Sequence, residues 1–388
     1  MCVWISDMKA LNLIALSLLL SCSRPTVDVA RVSALASRQC LLMEEYLTED
    51  TFPRSFQSDS MVVSKASWWC SGFYAGTCWY SYLLGQDNAV RDLAIRQTTK
   101  LMDVDRLCRD HDIGFQVMCS SGLAWKATGD SLYLMILRDA AERLAGRFSP
   151  VTGTIKSWNS KRFTYPVIID NMMNLELLTF AAKTFDVPEW QDIAIAHART
   201  TMANHFREDG SCYHLVDYNP EDGSIIRKQT WQGLSDESSW SRGQGWALYG
   251  YSMMFRETGL PEFLEQAEKV AAYLLPLLSD RPIPAWDFDS DAPDDASAAA
   301  VMASAFLELS TLTKDAAQGK AYFEMAERML KELSSDKYLC REGECAGFLL
   351  KHSTGFFLHD SEVDVPLSYA DYYFMEALYR YKMIIYAN

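Results

Sequence analysis

The sequence predicts an all-α fold, an (α/α)6 barrel of six inner and six outer helices. Three observations predict it. Helical periodicity runs through most of the chain, while the alternation expected of strands is sparse. Six stretches dense in Gly, Ala and aromatic residues alternate with six amphipathic, charged ones, as repeated hairpins do. The long connections, Ser149 to Pro166, Glu208 to Ser239 and Ser279 to Ala296, all fall before stretches of the first kind.

The inner stretches are, in order, "WWCSGFYAGTCWYSYLLG", "HDIGFQVMCSSGLAWKATG", "VIIDNMMNLELLTFAAK", "WSRGQGWALYGYSMMFRETG", "ASAAAVMASAFLELSTLT" and "LSYADYYFMEALYRYK". Small residues on a helix let neighbouring backbones approach, so these segments suit burial on every side. The outer partners start near Val32, Asp87 and Asp315, or read "DSLYLMILRDAAERLAGRF", "EWQDIAIAHARTTMANHF" and "PEFLEQAEKVAAYLLPLL". Each carries one apolar stripe and a charged face, the pattern of a surface helix. "TGD" at Thr128 to Asp130 and "TGL" at Thr258 to Leu260 are turn signals between hairpin arms. Six hairpins can close into a ring, and long loops gathered at one end mark where a site belongs.

The first residues belong to another class of signal. From Met8 the chain reads "MKALNLIALSLLLSC", a lysine followed by an apolar run too short to span a bilayer. Leu19-Leu20-Ser21-Cys22 resembles a bacterial lipobox, in which Cys22 is lipidated and becomes the new N-terminus. Residues 1–22 are therefore expected to be a lipoprotein-type signal segment, and residues 23–388 a single barrel domain. An ordinary cleaved signal peptide is the alternative. The expected location is the periplasm or cell surface of a bacterium, with membrane contact only through the lipid anchor. Export permits disulfides, and Cys340 and Cys345 in "CREGEC" are the expected local pair.

A net charge of −15 argues against a nucleic-acid partner, because such proteins neutralise phosphates with Lys and Arg. No His or Cys residues stand at metal-ligand spacing around the cysteines.

Each inner helix opens with polar or aromatic residues just after a loop, so those residues face one mouth. Asp112 in "HDIGF" and Asp170 in "IIDNMMN" occupy matching places on the second and third inner helices. Asp170 follows Val167, Ile168 and Ile169, and an ionised carboxylate among such neighbours is costly without partners. Desolvation and a like charge nearby both favour its protonated form, which suits acid–base chemistry on a sugar. The competing reading is an N-cap aspartate. "SDESSWSRGQGW" supplies Trp240, Arg242, Gln244 and Trp246, and the loop before it holds His214 and Gln232. Arg242 stands where its guanidinium either pairs with Asp or Glu or holds a substrate carboxylate.

"HDIGF", "IIDNMMNLELL", "YHLVDYNPEDG", "TWQGLSDESSWSRGQGWALYGY", "PAWDFDSDAPDDASAAAVMASAFLEL" and "SEVDVPLSYADYYFMEALYRYK" together resemble glycoside hydrolase family 88, the unsaturated glucuronyl hydrolases. The resemblance runs from about Phe52 to Lys382. It implies a barrel that acts on small oligosaccharides left by a polysaccharide lyase, with a C4=C5 double bond in the non-reducing-end uronate. The family hydrates that vinyl ether: an acid protonates C4, water adds at C5, and the hemiketal opens to release the next sugar. No metal or organic cofactor is implied. By motif, Asp170 would be the general acid and base and Asp112 its carboxylate partner, staying ionised to stabilise charge at C5. His214, Gln232, Trp240, Arg242 and Trp246 would line the uronate subsite, and Trp69 and Trp158 would be sugar platforms. Phe356 and Phe357 depart from the pattern, standing where polar or basic contacts to a sulfated neighbour are expected. Two other functions fit more loosely. They are the related rhamnogalacturonyl hydrolases of family 105, acting on pectin fragments, and a non-catalytic lipoprotein that captures glycans.

Overall fold

The computed structural model describes residues 26–386. The expected signal segment, with Cys22, lies outside them. Asp28 accepts a hydrogen bond from the Arg31 N–H and starts the first helix, α1 (Val29–Glu44). The following helices are α2 (Phe73–Gly85), α3 (Asn88–Thr99) and α4, which runs in three consecutive pieces (Ile113–Val117, the π turn Met118–Gly122, and Leu123–Thr128). Next come α5 (Leu132–Ala145), α6 (Asn171–Phe185), α7 (Pro188–Asn204) and α8 (Ser241–Thr258). The last four are α9 (Pro261–Leu277), α10 (Ala296–Leu312), α11 (Ala316–Leu333) and α12 (Ser368–Tyr386).

Local chemistry sets most of these boundaries. Asp87 and Asp315 accept from the backbone N–H groups of Ala89 and of Ala317 and Gln318, so α3 and α11 start where the sequence places them. Pro188 and Pro261 open α7 and α9, where the missing N–H costs nothing. Gly129 (φ +71°) and Gly259 (φ +70°) end α4 and α8 in the left-handed conformation that glycine adopts freely, which explains both "TG" joints.

The even-numbered helices form the inner layer. Every residue of α10 from Ala296 to Ser310 is buried. In outer α11, burial follows one stripe, including Tyr322, Phe323, Ala326, Met329, Leu330 and Leu333. The inner helices pack in sequence, α2 on α4, α4 on α6, and so on to α12, which returns to α2 and closes the ring. Among the described residues, twelve main helices lie in two concentric layers, the architecture expected from the sequence.

Connections from an inner to an outer helix are short, such as Gln86–Asp87 and Asp186–Val187. The long ones gather at the opposite end, the mouth. They contain strands that alternation does not reveal, β3, β4 and β5 being too short for it: the β1–β2 hairpin (Phe52–Gln57, Ser60–Ser64), β3–β4 (Phe148–Ser149, Thr154–Ile155) and the antiparallel sheet β5–β6–β7 (Pro166–Ile168, Leu215–Tyr218, Ile225–Gln229). A further long connection, residues 334–367, was not among the loops the sequence singled out. It is pinned by bridges between Ser353 and Val365 and between Phe356 and Ser361. Cys340 and Cys345 in it are joined by a disulfide, while Cys40, Cys70, Cys78, Cys108, Cys119 and Cys212 are buried free thiols.

Away from the mouth the inner layer is tied by ion pairs. Arg256 of α8 meets Glu176 of α6 at 2.8 Å and Glu308 of α10, and Arg380 of α12 meets Glu308 at 2.9 Å. Glu376 accepts from Tyr80, Tyr249 and Ser304. Five inner helices share this network, so its charges are paired despite their burial.

Candidate active site

Asp112 and Asp170 precede α4 and α6 at the mouth, and their side chains are 19% and 15% exposed. Both occupy the N-cap position, yet neither side chain caps its helix. The capping explanation for Asp170 therefore fails, because its oxygens accept none of the free N–H groups of the first turn.

Two features bring the carboxylates together. Gly114 lies against Asn174, and a Cβ there would sit 2.5 Å from Asn174 Oδ1 and 2.7 Å from its Cα, so only glycine lets α4 approach α6 this closely. Ser157 then ties the two leading segments to one point. Its carbonyl accepts from His111 N at 2.9 Å, and its hydroxyl accepts from Ile168 N at 3.0 Å. Arg147 donates to the same carbonyl at 3.2 Å and to those of Lys156 and Arg109.

Burial pushes the Asp170 carboxyl up to about 7, with Arg242 and the Trp246 indole opposing the rise. Asp112 is also held well above the usual carboxylate range, by burial first and then by the charges of Asp110 and Asp170. The family resemblance implies that Asp112 stays ionised, but Asp110, two residues earlier, is a third carboxylate that disfavours this. Near neutral pH the pair retains a proton.

His214 reaches Asp170 through the sheet. Strand β6 pairs with β5, and Ile169 N donates to the His214 carbonyl at 2.9 Å. The backbone N–H groups of Trp231 and Gln232 donate to His214 Nδ1 at 3.0 and 3.1 Å. The ring proton must then lie on Nε2, which is 3.7 Å from Asp170 Oδ2. Burial, and then the nearby Arg242 charge, lower the imidazole to about 3, so it is a neutral donor. Asp170 Oδ2, His214 Nε2 and the buried Trp246 Nε1 have no hydrogen-bond partner within the protein. Unsatisfied buried polar atoms are rare in folded proteins and call for an explanation. Here they are one acceptor and two donors around one carboxyl group.

Arg242 is 2% exposed and largely engaged. Its Nη1 meets Asp295 Oδ2 at 2.8 Å and the Thr354 carbonyl at 2.6 Å; its Nη2 meets the Gly355 carbonyl at 2.6 Å and Gln232 Oε1 at 3.4 Å. Pairing with an acidic residue, one of the two roles open to it in the sequence, is present. The contacts bind α8 to the start of α10 and to the 353–355 loop. Trp240 is sandwiched between the guanidinium (4.6 Å) and the His214 ring (4.7 Å), so it supports the site from within. Trp246 is fully buried against Phe115 and Tyr373, with its indole N–H toward Asp170.

Trp69 and Trp158 lie on different walls. Trp69 is half-buried against Phe73, Phe115 and Tyr369. Trp158 meets Phe163, which in turn meets Trp231. Arg162 stacks over Trp231 at 4.5 Å, and Phe356 and His359 close on the same ring. Phe357 stacks on Trp286 at 4.5 Å. The segment where polar contacts were expected is therefore fastened by aromatic packing.

Several residues of the site escaped the sequence reading. Asn174 had a visible signal, a polar residue one helical turn after Asp170 in an apolar run. Tyr369, 5.3 Å from the Arg242 guanidinium, had none, being one of several tyrosines in α12. Trp231 and Asp295 lie in "TWQG" and "APDDASAAA", but only their partners reveal them. Among the described residues, no group of three His, Cys, Asp or Glu is arranged to hold a metal ion.

The comparisons agree with this geometry. The profile of Glycosyl Hydrolase Family 88 matches residues 46–281. An unsaturated glucuronyl hydrolase of Formosa agariphila is 38% identical over 364 residues, covering 91% of this chain and 90% of that protein. An unsaturated chondroitin disaccharide hydrolase of Streptococcus pyogenes is 30% identical, with 91% of each chain covered. The crystal structure of an unsaturated glucuronyl hydrolase specific for heparin superposes with a TM-score of 0.88 at 44% identity, over 92% of this chain and 98% of that one. A closed ring of six helical hairpins, two largely buried carboxyls at its mouth and similarities that cover 91% of this chain lead to one conclusion: the chain belongs to glycoside hydrolase family 88.

Proposed function

We propose that the protein removes the C4=C5 unsaturated uronate from the non-reducing end of lyase-generated, glycosaminoglycan-type oligosaccharides by hydrating the double bond. The observation that carries this reading is Asp170, a buried carboxyl held near 7 with an unpaired oxygen facing a neutral imidazole N–H. Protonating an alkene carbon needs an acid that still holds its proton near neutral pH. Asp170 delivers that proton to C4, and positive charge develops at C5 and the ring oxygen. The resulting carboxylate then takes a proton from the water that adds at C5. The hemiketal so formed breaks its bond to the ring oxygen, giving a ketone at C5 and a hemiacetal at C1 that expels the next sugar. Asp112 sits beside this centre and is the second carboxyl of the pair. The donors at His214 and Trp246 meet oxygens of the uronate, and Gln232 adds its amide. Trp69 and the Trp158 wall flank the sugars.

Relatives support the substrate class through their stated specificities for heparin and chondroitin fragments. Lipidation at Cys22, with anchoring at the periplasmic or outer surface, belongs to the same proposal. It rests on the "LLSC" motif alone.

Loss of the double bond's ultraviolet absorbance on a panel of unsaturated disaccharides tests the activity, and its pH profile tests the acid. The acid form must be present in the free enzyme, so kcat/KM should be flat below the Asp170 value and fall as pH rises through about 7. A profile that instead rises through the same value means that Asp170 acts only when ionised.

A further inference from the structure

His111 is 1% exposed and lies directly behind Asp112. Asn174 Oδ1 accepts from Phe115 N at 2.8 Å, which fixes the amide orientation and turns Nδ2 toward the histidine. Asn174 Nδ2 is 3.4 Å from His111 Nδ1. Because Nδ2 can only donate, Nδ1 accepts and the ring proton lies on Nε2. That nitrogen is 3.4 Å from Asp112 Oδ1. Donation therefore runs from the α4 backbone through Asn174 to His111, whose Nε2 proton faces Asp112 Oδ1.

The same construction serves Asp170. There the Trp231 and Gln232 N–H groups set the tautomer of His214, whose Nε2 faces Asp170 Oδ2. Each carboxyl thus has its own buried imidazole, and each imidazole has its tautomer fixed from behind. Burial lowers both rings to about 3, so neither adds a positive charge to the site. Their effect is directional: each N–H faces one oxygen of its carboxyl, Asp112 Oδ1 at 3.4 Å and Asp170 Oδ2 at 3.7 Å.

We propose that Asn174 and His111 are positioning residues for Asp112, fixing the imidazole tautomer so that Oδ1 accepts from His111 and Oδ2 is left to exchange the proton of the pair. The inference rests on the reading of Asp112 and Asp170 as the acid–base pair. The other charged groups that act on Asp112 are Asp110, Asp170 and Arg147. None of them sets the tautomer.

Asn174→Asp probes the effect; the Asn174 amide also bonds the Asp112 carboxyl directly, so the variant is read against a background without the imidazole. A carboxylate keeps an oxygen for Phe115 N but offers His111 Nδ1 only acceptors, so the ring proton moves to Nδ1. Nε2 then presents a lone pair to Asp112 Oδ1, which Asp112 can meet only by holding a proton there. The expected result is a fall in kcat of at least ~10-fold, with KM within about two-fold, and an upward move of the alkaline limb of the pH profile. The new charge also acts through space, so His111→Gln provides the control, since its amide donates to Asp112 whatever stands at 174. In that background Asn174→Asp should produce little further change in kcat or in the limb, a non-additivity that marks a shared path.

Additive effects in the double variant would overturn the proposal, because the charge would then act without His111. So would an unchanged profile in Asn174→Asp. If Asn174→Asp does not fold, His111→Gln is measured against His111→Leu, which removes the donor; equal kcat and equal limbs in those two would overturn it. Asp170→Asn separates the two levels of the argument: full activity there removes the acid–base reading itself, whereas an inactive Asp170→Asn beside an indifferent Asn174→Asp removes only this inference.

Discussion

Asp170→Asn should lower turnover by at least ~10²-fold, the low end for a positioned acid, while the helical circular dichroism is retained. The amide keeps the shape of the side chain and loses the transferable proton. The thermal midpoint should hold or rise, because the replacement removes an ionisable group buried beside Asp112. A capping role makes the opposite forecast, since Asn is an equally good cap; turnover would then barely change. The structure already speaks against that role, because the Asp170 side chain accepts no N–H of α6. Turnover and melting measured on the one variant separate the two explanations.

Arg242→Met should be the most destabilising substitution at the mouth. It leaves Asp295, which is fully buried, without its cation, and frees the Thr354 and Gly355 carbonyls. Removing one partner of a buried pair costs about 3–5 kcal/mol, which in a domain this large lowers the midpoint by roughly 5 °C. Turnover should fall with it, since the 353–355 loop and Gln232 lose their anchor. Arg242→Met with Asp295→Asn should recover part of the stability, because no charge is then stranded. Were Arg242 simply a clamp for the substrate carboxylate, the single variant would bind poorly yet melt normally, and calorimetry distinguishes the cases.

The helical frame was legible because burial writes itself into composition. Helices such as α10, buried on every side, must be made of small and apolar residues, and their amphipathic partners must not. Caps at Asp87 and Asp315 and the left-handed glycines at 129 and 259 fixed the joints by local chemistry alone. The strands of the mouth were not legible. The two residues of β4 and three of β5 are too short for alternation, and their pairing depends on segments far apart in sequence.

At the site, the two aspartates were visible as carboxyls in apolar runs. Their electrostatics were visible only in part. Burial could be anticipated for Asp170, but the influence of Asp110 on Asp112 emerges once the turn between them is seen. Arg242 shows the limit most plainly. Its position at the start of an inner helix is local information, whereas its partners, Asp295, Thr354 and Gly355, lie 53 to 113 residues away. The orientation of His214 likewise depends on two backbone N–H groups of a neighbouring loop.

An analogue in which a methylene replaces the glycosidic oxygen tests most directly whether the chemistry occurs at the double bond. A glycosidase whose paired carboxyls act across the glycosidic bond has nothing to cleave in such a compound. Hydration of the vinyl ether needs only C4 and C5, so the enzyme should abolish the analogue's ultraviolet absorbance without releasing a second sugar, and Asp170→Asn should not. Complete inertness of the analogue at concentrations where it competes with an oxygen-linked substrate that is turned over would contradict hydration as the step that releases the sugar.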